Sequence, residues 1–163
     1  MTIEIRPYRN DDLASLHAIN VASEPGVGAV TEERLAEIIS IGRCDVAVGE
    51  AGEALGFVLL HLPDADYDGS NFNWFADRYE TFVYVDRIAI ATDARGRKIG
   101  EQLYKTIFDA FSDLVPIIGC EVNSVPPNPA SLRFHKRLGF EEVGAHTFEQ
   151  DYAVTYLARR INR

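Results

Sequence analysis

Apolar residues in this chain first alternate, then recur every three or four positions, then alternate again, and each change of period marks an element. Ile3 and Ile5 alternate with polar neighbours and predict a short first strand. Asn10-Asp11-Asp12 offers a helix N-cap, and Leu13, Leu16, His17, Ile19 and Asn20 follow at helical spacing. Glu24-Pro25-Gly26 breaks that helix. Thr31-Glu32-Glu33-Arg34 opens a second one, with Leu35, Ile38 and Ile39 as its buried stripe. Residues 46–49 and 55–62 read as two strands joined by a hairpin turn at Glu50-Ala51-Gly52-Glu53.

Residues 63–81 are irregular and rich in Asp, Asn and aromatics, which predicts a long loop or an irregular helical insertion of functional kind. Residues 82–90 form a strand and residues 97–114 a helix, in which Ile99, Leu103, Ile107 and Phe111 repeat every four positions beside Tyr104 and Phe108. Residues 117–122 are another strand, 125–129 a stiff proline-rich turn and 129–138 a helix. Residues 140–148 and 152–158 close the chain as a strand pair. The order β-α-α-β-β-β-α-β-α-β-β predicts one mixed α/β sheet with helices on both faces, in a single domain over residues 1–163.

Composition narrows the function. The chain has 163 residues, is 47% apolar and carries a net charge of −9, with a pI near 4.9. That balance suits a globular domain and argues against nucleic acid or anionic membrane as partners. It favours cationic partners such as free amines, although solubility alone also accounts for it. The two cysteines, Cys44 and Cys120, sit in strand-like runs and fit neither a disulfide framework nor a zinc pattern, so buried thiols in a cytoplasmic protein are expected.

The chemistry-bearing stretch is Arg95-Gly96-Arg97-Lys98-Ile99-Gly100, a basic turn between an apolar strand and an amphipathic helix. A strand feeding such a turn puts free N–H groups at the positive end of a helix dipole, where a phosphate binds, and the glycines admit close approach. The spacing is neither a dinucleotide fingerprint nor a P-loop. It resembles the acetyl-CoA signature of the GNAT superfamily of N-acetyltransferases, Gln/Arg-x-x-Gly-x-Gly/Ala. Arg95, Ile99 and Gly100 match it, and Lys98 stands where the first signature glycine is expected. A later segment, Asn128 to Phe140, is similar to that family's Asn-x-x-Ala/Ser-x-x-(Leu/Phe)-Tyr-x-x-x-Gly-Phe stretch.

The resemblance implies a mixed, mostly antiparallel sheet of about seven strands, splayed between the fourth and fifth and flanked by four helices. It implies an acyltransferase moving the acetyl group of acetyl-CoA onto a small or peptidic amine, with no metal, and it makes a homodimer an expectation. Ile88, Ala89 and Ile90 would hold the pantetheine, residues 95 to 100 (Arg95, Gly96, Arg97, Lys98, Ile99, Gly100) the pyrophosphate, and Asn128, Ser131 and Phe134 the opposite wall. Asp86 lies two and four positions before Ile88 and Ile90, so strand alternation puts all three on one face and makes Asp86 a candidate base, with Tyr84 a further candidate and Glu121 a weaker one. Pairing with Arg87 is the other reading of Asp86. His135 occupies the position of the family's thiolate-protonating tyrosine; it is either that acid or a surface histidine beside Lys136 and Arg137. A non-catalytic acyl-CoA-binding module, or an enzyme using a longer acyl-CoA, stands as the alternative.

Asp64-Ala65-Asp66-Tyr67-Asp68-Gly69 imitates half of an EF-hand loop, but the twelfth position is Phe75 rather than Glu, which argues against calcium. Asn73, Trp74, Phe75 and Glu121 are candidate acceptor-binding residues, the first three as a roof over the pocket. The other reading of those aromatics is a packed satellite core. His17, His61 and His146 lack metal-ligand spacing and read as core-edge or surface groups.

Overall fold

The computed structural model describes residues 2–161. Strand β1 (Glu4–Pro7) leads through a 3-10 turn (Asn10–Asp12) into helix α1 (Leu13–Ala22), followed by α2 (Glu32–Ile41), β2 (Arg43–Val48) and β3 (Ala54–His61). Helix α3 (Ser70–Ala76) precedes β4 (Val83–Ile90). Then come α4 (Ile99–Phe111), β5 (Ile117–Val125), α5 (Pro129–Arg137), β6 (Glu141–Glu149) and β7 (Tyr152–Arg160). Among the described residues the sheet has seven strands in the order β1-β2-β3-β4-β5-β7-β6. The expected seven strands and the splay between β4 and β5 are present, but five α-helices rather than four flank the sheet among the described residues, because the 63–81 insertion winds about two helical turns of its own.

A side-chain cap explains the start of α2. The Thr31 hydroxyl accepts the Arg34 N–H at 3.0 Å, a cap that stabilises α2 by about 1 kcal/mol. Asp12 is not spent as a cap, since its carboxylate takes both Arg6 (2.8 and 2.9 Å) and the Arg9 N–H (2.8 Å). Helices α1 and α2 press Leu16, Leu35 and Ile38 onto Val46, Phe57 and Ala89 of one sheet face. On the other face, Leu103 and Ile107 of α4 meet Val58, Val83 and Val85. Cys44 and Cys120 are buried free thiols, as expected. Among the described residues, no helix is long and apolar enough to cross a membrane.

Two irregularities of β4 position everything that follows. Its parallel ladder with β5 holds for Val83↔Ile118 and Tyr84↔Gly119 only, and beyond them the strands part. Against β3 the register runs Leu59↔Arg87 and then Leu60↔Val85, so Asp86 is the extra residue of a β-bulge. The bulge inverts the alternation. Val83 and Val85 face α4 before it, and Ile88 and Ile90 face α4 after it.

Candidate active site

Where β4 and β5 separate, a groove of about 950 Å³ opens. Ile88, Ala89 and Ile90 form one wall, Arg95, Gly96, Lys98, Ile99 and Gly100 its head, and Asn128, Ser131 and Phe134 the opposite wall, while Arg97, expected with them, does not line it. The first α4 hydrogen bond runs from Gln102 N–H to Lys98 O. The N–H groups of Ile99, Gly100 and Glu101 therefore lack an intrahelical partner and sit at the positive end of the dipole. The two glycines serve different ends. Gly96 has φ +82°, open to glycine without cost, whereas a Cβ at Gly100 would lie 2.9 Å from the Phe134 ring, so Gly100 lets α4 and α5 meet. Lys98 is the one non-glycine residue with positive φ (62°) among the described residues. That left-handed conformation costs about 1 kcal/mol or more, at the position where the family pattern has glycine.

A second, smaller cavity of about 70 Å³ joins the groove at the gap between the strands. The two share Gly26, Val27, Ile88, Asn123, Ser131 and His135, which mark their junction. Its roof is the α1–α2 loop, tied to both strands. Arg87 on β4 donates to Gly28 O (3.0 Å) and Asn20 Oδ1 (2.9 Å), and Asn123 on β5 donates to Pro25 O (2.8 Å).

The small cavity is lined by two carboxylates in different surroundings. Asp86 accepts one hydrogen bond on each oxygen, from Tyr67 OH on Oδ1 and from Arg87 Nε on Oδ2, each at 2.7 Å, and the ion pair is almost fully buried. The bulge turns it away from Ile88 and Ile90, so the shared face expected from simple alternation is corrected: Asp86 braces Arg87, and through it the roof. Glu121 keeps part of its surface on the cavity while its carboxylate is enclosed. Tyr84 OH donates to both oxygens (2.8 and 2.9 Å) and Asn71 Nδ2 to Oε1 (3.1 Å). Burial, then the charge of Asp86, push the Glu121 carboxyl up to about 8, against the two hydrogen bonds and Arg87. Tyr84 is buried with its phenol pushed well above the usual range, so it is a hydrogen-bond donor to Glu121 rather than a base.

His135 is buried and not on the helix surface. Its Nδ1 lies 2.8 Å from Ser131 O, an acceptor only, so that nitrogen carries the hydrogen and donates. The Tyr104 hydroxyl sits 2.7 Å from Nε2. Burial lowers the affinity of the ring for a second proton. The neighbouring Lys136 and Arg137 are not the cause, and the expected imidazolium acid is replaced by a neutral ring held at both nitrogens.

The aromatic insertion is built differently from the expected roof. Phe75 is fully buried, seated where a Cβ on Gly119 would clash. Trp74 stacks on Tyr156 at 4.1 Å, lies over Gly144 and is covered by Arg78. Asn73 is exposed and bonded to Asp68. None of the three lines either cavity. The insertion reaches the site instead through Asn71 on Glu121 and Tyr67 on Asp86, two contacts no sequence spacing pointed to. His61 is at the centre of a buried aromatic cage rather than at the core's edge. His17 bonds Val30 O, and His146 packs on Phe148. Among the described residues no group of three His, Cys, Asp or Glu side chains could hold a metal ion.

Comparison with known proteins agrees with this architecture. The model of the acetyltransferase (GNAT) family matches residues 13–140. Phosphinothricin N-acetyltransferase of Streptomyces coelicolor is 39% identical over 72 residues, 44% of this chain and 39% of that protein. The chain's match thus spans about two fifths of that relative's length. The crystal structure of the ribosomal-protein-S18-alanine N-acetyltransferase from Escherichia coli superposes with a TM-score of 0.76 over 99% of this chain and 96% of that one, at 16% identity. A phosphinothricin acetyltransferase from Sinorhizobium meliloti, solved with AcCoA, gives 0.73 over 99% and 90%, at 20% identity. At those identities the solved structures establish the fold.

Proposed function

The chain belongs to the acetyltransferase (GNAT) family, and from that premise we propose that it transfers the acetyl group of acetyl-CoA to a primary amine by direct attack on the thioester. One observation carries the reading. A groove with a phosphate-binding turn at its head runs, through the parting of β4 and β5, into a small cavity that holds a carboxylate of raised proton affinity.

The residues present fit the donor. The turn supplies N–H groups and the cations Arg95 and Lys98 for a pyrophosphate. Beyond Tyr84 the β4 edge facing β5 has no strand partner among the described residues, leaving alternate N–H and C=O groups for an extended amide chain. An N–H near Ile90 is then in place to take up charge on the thioester oxygen.

Chemistry at the acceptor end requires a base, because an amine arrives as ammonium. Glu121 takes that proton. The free amine attacks the thioester carbon, the C–N bond forms as the C–S bond breaks, and the second N–H proton balances the departing thiolate. Asp86 and Arg87 hold the roof that keeps water from the junction, and neutral His135 with Tyr104 closes its floor. Turnover therefore rises with pH through about 8, as Glu121 loses its proton.

The relatives' names supply acceptors to try. Phosphinothricin, a peptide with N-terminal alanine and n-butylamine form a panel, and the small cavity favours a compact amine head. CoA thiol release is measured with wild type and Glu121→Gln. Acceptor-dependent release that Glu121→Gln lowers at least a hundredfold supports the reading; release from no acceptor at any pH contradicts it.

A further inference from the structure

Glu121 is held by a residue that touches neither cavity. The Asn71 amide donates from Nδ2 to Glu121 Oε1 at 3.1 Å, while its Oδ1 accepts the Tyr156 hydroxyl at 2.8 Å. With Glu121 ionised the two contacts fix the amide's orientation, since a carboxylate only accepts and the phenol is free to donate. The support behind Asn71 is closely packed. Phe75 is docked on Gly119 of β5, and Trp74 is stacked on the ring of Tyr156 itself. Asn71 is thus carried by the insertion onto the strand that bears the carboxylate.

We propose that Asn71 is a positioning residue for acyl transfer: its side-chain amide, fixed by Tyr156, holds the Glu121 carboxylate at the acceptor cavity in its proton-accepting form. The kinetic part of this rests on the transferase reading above, and the geometric part does not.

Every element around Glu121 contributes a group that bears on its protonation. Strand β4 presents Tyr84, Asp86 and Arg87, the segment before α3 presents Tyr67, α3 presents Asn71, β5 itself presents Cys120, β7 presents Tyr152 and Tyr156, and α4 presents Tyr104. The Asp86 charge opposes ionisation of Glu121. Arg87 and the hydrogen bonds from Tyr84 and Asn71 favour it. An N–H donor bonds a carboxylate more strongly than a carboxylic acid, so losing Asn71 moves the titration of Glu121 to higher pH.

The test is a titration of the Glu121 carboxyl by ¹³C NMR, in protein labelled at the glutamate Cδ and assigned by loss of the signal in Glu121→Gln. Relative to wild type, Asn71→Ala raises the midpoint by about one pH unit. Tyr156→Phe, which keeps the ring stack on Trp74, raises it by less and serves alone if Asn71→Ala does not fold. With whichever panel amine the wild type acetylates, Asn71→Ala lowers turnover at pH 7 about tenfold. The loss recovers above the new midpoint, and KM for acetyl-CoA is unchanged. Midpoints unmoved in the variants that fold, or a turnover loss independent of pH, would overturn the proposal. If wild type acetylates no panel amine, the transferase reading fails by that result alone, and the titration still decides the role of Asn71.

Discussion

The hydroxyl of Tyr84 lies 2.8 and 2.9 Å from the two carboxylate oxygens of Glu121, bridging β4 and β5 beside the last residue pair before the strands part. The bridge orients the proposed base and opposes the effect of its burial. Tyr84→Phe removes the donor and leaves the ring in its aromatic pocket. A hydrogen bond to a charged group contributes about 1.5–3 kcal/mol, so turnover at pH 7 falls by at least about tenfold and the pH–rate midpoint moves up. Calorimetric affinity for acetyl-CoA stays at the wild-type value. An unchanged midpoint would assign the base elsewhere.

The same carboxylate makes stability depend on pH. The folded protein keeps a proton on Glu121 that the unfolded chain has released between about 4.5 and about 8. In that window the unfolded state binds fewer protons, so the residue costs stability increasingly as pH rises through it, reaching a few kcal/mol at most. Glu121→Gln is therefore inactive yet more stable than wild type at pH 9, with a smaller difference at pH 5. Denaturant melts at the two pH values measure this, and an equal shift at both would contradict it.

Lys98 gives a second opposition of stability and function. Its left-handed backbone is strained, and its side chain lines the groove. Lys98→Gly relieves the strain but adds freedom to the unfolded chain, for a net gain of up to about 1 kcal/mol. The same change weakens acetyl-CoA binding and flattens its salt dependence by the loss of one cation. Thermal melts and salt-series calorimetry read the two effects. A variant less stable than wild type with unaltered binding would refute both halves.

His61 is wholly buried, and neither ring nitrogen has a hydrogen-bonding partner among the described residues. Burial holds the folded ring neutral below its ordinary range, while the unfolded ring takes a proton near 6.5. Stability is therefore lost as pH falls through 6.5. Replacement by Phe removes both this acid sensitivity and the cost of an unpaired polar group, about 1–3 kcal/mol. His61→Phe should be at least as stable as wild type at pH 7.5 and clearly more stable at pH 5. The reverse order at pH 5 would show that a polar partner satisfies the ring.

The elements and the glycine-bearing turn between β4 and α4 were legible because they depend on local periodicity, on Gly96 and on a strand–turn–helix order that sequence carries directly. The acceptor end was not. The face of Asp86 follows from a bulge opposite Leu59 and Leu60, and no alternation count along β4 alone reveals it. Asn71 and Tyr67 reach their carboxylates across 50 and 19 residues of chain, so their roles exist only in the folded state. Trp74 and Phe75 were conspicuous as aromatics, but Gly119 and Gly144, remote in sequence, draw them into the core. His135 matched a family position, and the Tyr104 hydroxyl and Ser131 carbonyl that hold it neutral are visible only in three dimensions.

The most direct measurement is a calorimetric titration of the purified protein with acetyl-CoA, beside the double variant Arg95→Glu/Lys98→Glu. Binding in the micromolar range by wild type, lost when the two cations are reversed, is the expected result. A wild-type protein that gives no heat of binding would contradict the acetyl-CoA-dependent function at its root.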